Sequence, residues 1–162
     1  MTGVEQARLI SVIGAGQAPP EVLERAEEVG RLLARAGWGV VTGGLGGVME
    51  AAARGAALAG GLTLGILPGE EAGAANPWCR VALPSGLGQA RNVLVVRAGR
   101  AVIAVSGGAG TLSEIGHALK MGRAVAGLGS WRVPGVFQAE SPAAAVEHVL
   151  ASLAIQPVTR PA

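Results

Sequence analysis

Ala101-Val102-Ile103-Ala104-Val105-Ser106-Gly107-Gly108-Ala109-Gly110-Thr111-Leu112-Ser113-Glu114 is the stretch that decides how this chain folds. Its first five residues are a short apolar run of the kind that forms a buried strand. Residues 106–110 break the run with glycines, and residues 111–121 resume at helical spacing. The order is strand, glycine turn, helix start. Glycine lets a ligand approach the backbone closely, and a helix start presents unpaired N–H groups with roughly half a positive charge. A phosphate or other anion is the natural guest of such a turn.

The same unit occurs earlier. Trp38-Gly39-Val40-Val41-Thr42 reads as a strand, Gly43-Gly44-Leu45-Gly46-Gly47 as the turn, and residues 48–58 as a helix. A tight turn alone requires about one or two glycines, fewer than this segment carries. A third turn, Gly14-Ala15-Gly16, follows an apolar strand at residues 8–13. Further strands are predicted at 61–67, 80–83 and 124–128. Further helices are predicted from Pro19-Pro20 to Gly37, over 89–98, and from Ser141-Pro142 onward. Residues 68–77 read as a mobile surface loop near the strand ends, 130–138 as irregular, and the tail after Ile155 as unstructured. Strands that alternate with helices, and are too apolar to be half exposed, imply an α/β fold with a mainly parallel sheet covered on both faces. Its ligand is then expected outside the carboxyl ends of the strands, at the switch point.

The chain of 162 residues is expected to be one domain, with its core at about 8–155 and short flexible termini. Half of the residues are hydrophobic, enough for a sizeable core. A net charge of +2 and the shortage of aromatic residues argue against nucleic-acid binding. There is no Asp, which removes Asp-based magnesium sites. No Gly-Lys-Ser/Thr occurs, so there is no Walker A loop. Lone Cys79 excludes an internal disulfide and a cysteine metal cluster, and no metal site is expected. The first residues lack a basic region ahead of an apolar core, and no stretch is long and apolar enough for a membrane span. A cytoplasmic protein without membrane contact is the expectation.

Several local patterns admit two readings. Gly14-x-Gly16 lacks the third glycine of a dinucleotide site, and no acidic ribose ligand ends the second strand. Thr111-x-x-Glu114 fits a capping box. It also fits a carboxylate at the mouth of an anion site, able to orient a sugar or act as acid or base. Arg91-Asn92 lie near the start of a helix, where the guanidinium either stays in solvent or pairs with phosphate. Glu114-x-x-His117 is half of a di-iron pattern whose second half is missing. Ser106 lies near a nucleophile-elbow pattern but lacks its first glycine. The helix over 89–98 is apolar almost all round at Val93-Leu94-Val95-Val96. It is expected to be buried on more than one side, with a homodimer or larger assembly as one way to achieve that.

These residues resemble a known family. Gly107-Gly108-Ala109-Gly110-Thr111-Leu112-Ser113-Glu114 is similar to the PGGxGTxxE motif of the LOG ("lonely guy") superfamily, also called SLOG and long labelled "possible lysine decarboxylase". Gly43-Gly44-Leu45-Gly46-Gly47-Val48-Met49-Glu50 is similar to its other glycine motif, GGxxGLMG. The resemblance covers residues 8–155 and implies a Rossmann-like, three-layer α/β/α fold with a doubly wound sheet, usually dimeric. It implies one of two functions. One is binding of a phosphorylated small molecule, a nucleotide or molybdenum cofactor. The other is a nucleoside 5′-monophosphate phosphoribohydrolase that cleaves the N-glycosidic bond with Arg91 and Glu114. The family's Arg-Lys pair is Arg91-Asn92 here, its motif proline is Ser106, and its Glu-Glu is Ser113-Glu114. These departures resemble the branch of the molybdenum-cofactor carrier proteins. The expected ligand shell is Gly14, Gly16, Gly43, Gly44, Gly46, Gly47, Arg91, Asn92, Gly107, Gly108, Ala109, Gly110, Thr111 and Glu114. Decarboxylation with pyridoxal phosphate is not expected. It needs a Schiff-base lysine, and lone Lys120 lies about 13 Å along its helix from the turn.

Overall fold

The computed structural model describes residues 7–155. The expected tail after Ile155 and the first six residues lie outside the described residues. The elements run β1 (Leu9–Gly14), α1 (Pro20–Arg35), β2 (Gly39–Thr42), α2 (Val48–Leu58), β3 (Thr63–Leu67), β4 (Val81–Pro84), α3 (Asn92–Ala98), β5 (Val102–Val105), α4 (Ala109–Lys120), β6 (Val125–Leu128), β7 (Val136–Ala139) and α5 (Pro142–Ile155). All seven strands are parallel, in the order β4-β3-β2-β1-β5-β6-β7. The order reverses between β1 and β5, which makes that crevice the switch point of a Rossmann-like sheet.

Alternation along the strands splits the core in two. Ile10, Val12, Val40, Ile103 and Val105 face α1, α2 and α5. Leu9, Ile13, Val41, Val102 and Ala104 face α3 and α4. The central strands are buried on both sides, so they read as continuous apolar runs rather than alternating ones. Helices α1 and α2 touch backbone to backbone. A Cβ on Gly30 would collide with the Ala52 carbonyl, and one on Gly55 with the Glu27 carbonyl. Arg54 Nε donates to Glu27 Oε2 at 2.9 Å across the same contact. On the other face the buried Ser11 hydroxyl donates to Val95 O at 2.7 Å and ties α3 to β1.

Four expectations are corrected. A seventh strand, β7, takes up the last three residues of the segment expected to be irregular and runs on to Ala139. It is only four residues long, follows Pro134-Gly135, and leaves Phe137 exposed on the sheet edge, so it lacks a buried strand's apolar run. The segment 68–77, expected to be mobile, contains a 3₁₀ turn at Ala72–Ala74 and carries buried Asn76 just before its end. Asn76 Nδ2 donates to Leu45 O at 2.9 Å and Asn76 N to Gly44 O at 2.9 Å, latching the loop onto the 43–47 turn. The helix expected at 89–98 begins as a 3₁₀ turn, Gly88–Arg91, and is α-helical only from Asn92. Val95 and Val96 are buried while Leu94 is exposed. Helix α4 starts at Ala109 behind Gly108, three residues earlier than a Thr111 cap requires, and its N-cap makes no side-chain hydrogen bond. The capping box does not form. Thr111 and Glu114 are both buried within the helix instead.

Candidate functional site

A pocket of about 320 Å³ opens at the switch point. It is bounded by Gly14, Ala15 and Gly16 after β1, by Gly43 after β2, by Arg91 and Asn92 at the start of α3, and by Gly108, Gly110, Thr111 and Glu114 at the start of α4. Elements far apart in sequence meet here because three parallel strands end on the same edge. The pocket also takes in Ile13 and Met49, which the sequence motifs did not single out.

The two large glycine turns play different parts. At 43–47 the glycines permit close backbone packing. Gly47 has φ +65°, and a Cβ there would strike the carbonyl of Ala15 and the backbone of Gly16. The first amide of α2, Val48 N, is already used by Ala15 O at 3.0 Å. Gly44, Gly46 and Gly47 are not among the residues that line the pocket. Gly107 and Ala109 lie outside it as well. A side chain on Gly107 would strike Thr111, so its role is local packing.

The turn at 106–110 is the open one. Nothing lies within 4 Å of where a Cβ would stand on Gly16, Gly108 or Gly110. The first-turn amides of α4 have no side-chain cap, and such amides lack partners within the helix. The Gly108 carbonyl is engaged from behind by Leu112 N at 3.1 Å and by Trp131 Nε1 at 3.1 Å, which fixes the peptide plane. Ser106 holds φ +53°, a left-handed conformation that a residue other than glycine adopts at a cost of about 1–3 kcal/mol. Its carbonyl accepts the Ser130 hydroxyl at 2.6 Å. Trp131 and Ser130, from the segment read as irregular, thus support the turn. No local pattern marks them, because their partners lie more than twenty residues away.

Arg91 is buried, 8% exposed. Its Nη1 donates to Asn92 Oδ1 and its Nη2 to Gly43 O at 3.3 Å. A side chain at position 43 would occupy the guanidinium's place. The buried Nε has no partner. Burial lowers the guanidinium's affinity for its proton, and the charge of Glu114 works the other way. Glu114 is also buried, 7% exposed, in the same pocket, without a direct ion pair to Arg91. Desolvation pushes its carboxyl up to about 7, with Arg91 opposing. At neutral pH the carboxyl is divided between its two protonation states. A buried cation with an orphaned donor, an open helix start and a carboxyl that can hold a proton together suit an anion bound beside a group able to exchange a proton.

Among the described residues no group of three or more His, Cys or Glu is placed to hold a metal ion, and no helix is long and apolar enough to cross a membrane. Among known proteins, an uncharacterised protein of Archaeoglobus fulgidus is 42% identical over 147 residues, which covers 88% of this chain and 95% of that one. The molybdenum cofactor binding protein of Rippkaea orientalis superposes with a TM-score of 0.85 at 36% identity, covering 94% of this chain and 100% of that one. The molybdenum cofactor carrier protein of Chlamydomonas reinhardtii gives 0.83 at 32% identity, covering 91% and 99%. The SLOG cluster4 family model matches residues 7–155, so the glycine turns, the switch-point pocket and the parallel sheet are those of a member of the SLOG cluster4 family.

Proposed function

We propose that this protein binds a phosphorylated small molecule of the molybdopterin or nucleotide type, with the phosphate at the start of α4. The observation that carries this reading is the convergence on one pocket of open turn glycines and a buried arginine with an unpartnered Nε. The likeness to two proteins named for molybdenum cofactor binding or carriage supports it and favours a pterin-type cargo. Gly108 and Gly110 would admit the phosphate to the α4 amides. Arg91 would supply the charge, with Asn92 and Gly43 O holding it in place. Thermal shift against molybdenum cofactor, AMP and sulfate tests the reading. Stabilisation by a phosphorylated compound that disappears in Arg91→Met supports it, and no stabilisation by any of them overturns it.

Glu114 favours a second reading, hydrolysis of the N-glycosidic bond of a nucleoside 5′-monophosphate. A carboxyl raised to about 7 is poised for acid–base work near neutral pH. Arg91 would hold the phosphate, while Glu114 would stabilise developing positive charge on the sugar or take a proton from water. Release of free base from AMP, lost in Glu114→Gln, is the assay that separates enzyme from carrier.

Self-association is part of the proposal. Leu94 on α3 and Leu112 on the adjoining α4 are both exposed, at 36% each. Burying them against a second copy would complete the apolar surface that one chain leaves uncovered.

A further inference from the structure

Charge is segregated between the two faces of the sheet. Helices α1, α2 and α5 carry Glu21, Glu24, Glu27, Glu28, Glu50 and Glu147, against Arg25, Arg31, Arg35 and Arg54 in α1 and α2. On the other side, the whole stretch from α3 to β6, residues 92–128, contains a single carboxyl, Glu114, and that one is buried in the switch-point pocket. The same stretch carries Arg97, Arg100, Lys120 and Arg123, with His117. The fold gathers these at one place. Arg97 ends α3, Lys120 ends α4, and Arg100 and Arg123 precede β5 and β6. All lie at the amino ends of the parallel strands, the edge opposite the glycine turns.

There they form a concavity. Arg97, His117, Lys120, Met121 and Arg123 line a cleft of about 550 Å³. Arg123 is its hub. Its Nη2 donates to Arg97 O at 3.4 Å, and its Nε is buried without a partner. Burial and the charges of Arg97 and Arg100 all lower its affinity for a proton. Among the described residues none of these cations is in an ion pair. Arg97 and Lys120 complement the dipoles of the helices they end, worth about 0.3–1 kcal/mol each. That accounts for two charges at helix ends. It does not account for a partly desolvated third arginine held among them with an unsatisfied donor.

We propose that this cleft is a second anion site, distinct from the switch-point pocket, for a compact and multiply charged anion of the polyphosphate class. Its volume is that of a small-molecule site. The lining contains no Phe, Tyr or Trp, and His117 is its single ring, so it offers no run of stacking platforms for the bases of a single strand and a nucleic acid is the less suited guest. A multivalent anion would relieve the repulsion among the cations and satisfy Arg123 Nε together.

The test is a titration of isotope-labelled protein with inorganic tripolyphosphate, followed by amide chemical shifts at about 0.15 M ionic strength, where exposed charges more than about 8 Å apart are largely screened. The expected result is saturable shifts at residues 97–100 and 117–123 that persist in Gly108→Val, which obstructs the other pocket. In the double variant Arg97→Gln/Lys120→Gln, both positions at helix ends, the affinity read at those amides should fall at least about tenfold. Shifts confined to residues 14–16 and 106–111 would overturn the proposal. So would non-saturating shifts indifferent to the double variant, which indicate a counterion cloud only. An oligothymidylate that binds the cleft more tightly than tripolyphosphate would overturn the compact-anion assignment in favour of nucleic acid.

Discussion

Replacing Glu114 by Gln should make the protein more stable at alkaline pH while leaving it unchanged in acid. The folded protein raises this carboxyl from about 4.5 to about 7 by desolvation. Between those values the folded state keeps a proton that the unfolded chain has released. Stability is therefore fully present below about pH 4.5, falls as pH rises, and has lost its full increment just above 7. At about 1.36 kcal/mol per pH unit, the increment is roughly 3 kcal/mol. Glutamine keeps the shape and cannot ionise, so it escapes the loss. At about pH 8 the variant should melt roughly 6–12 °C above the wild type, given about 2–4 °C per kcal/mol for a chain of this size. The same ionisation should govern anion affinity. If sulfate binds only when Glu114 is protonated, a carboxyl titrating near 7 reduces apparent affinity about tenfold between pH 6 and pH 8. Sulfate keeps its charge over that range, so the slope reports on the protein. The assays are thermal denaturation and calorimetric sulfate titration of both proteins across pH 5–8 at constant ionic strength. Equal pH slopes in wild type and variant, or a variant less stable than wild type at pH 8, would refute the reasoning.

Gly108→Val should fold normally. Its φ of −104° is one that valine adopts readily, and the space beside it is open. Its stability should change by less than about 1 kcal/mol while sulfate affinity falls at least tenfold, as read by calorimetry. Gly47→Ala, by contrast, meets both φ +65° and the backbone of residues 15 and 16. It should lower the denaturation midpoint by at least about 1–3 kcal/mol in free energy. Arg91→Lys should bind no better than Arg91→Met in thermal shift, because the single nitrogen of an ammonium cannot take the places of both Nη1, on Asn92, and Nη2, on Gly43 O. On the proposed self-association through α3, light scattering should give a dimer or larger for the wild type and a monomer for Leu94→Glu, since the residue is exposed in one chain and its charge would be buried at the seam.

Local chemistry made much of this protein legible from its amino acids. A run such as Ala101 to Val105 followed by glycines and a helical pattern can hardly be anything but a βα unit, because strand and helix periods depend on residues only a few positions apart. Repetition of that unit implied a parallel sheet, and with it the edge at which folds of this kind take their ligands. Arg91 and Glu114 were named as a pair through the family motif, and the fold places them in one pocket. What the sequence could not distinguish was one glycine turn from the other. Both offer the same residues and a following helix. Only packing reveals that 43–47 is closed by Ala15, Gly16 and Asn76 while 106–110 stays open. The Thr-x-x-Glu pattern fitted both a capping box and a carboxylate beside an anion, and tertiary structure set the box aside by starting α4 at Ala109 and burying Glu114. Strand β7, the support of the turn by Ser130 and Trp131, and the gathering of Arg97, Arg100, Lys120 and Arg123 at one pole likewise rest on contacts between distant segments. Turn and helix propensities act within a few residues of backbone. Desolvation, orphaned donors and clustered charge exist only once separate elements close around the same space.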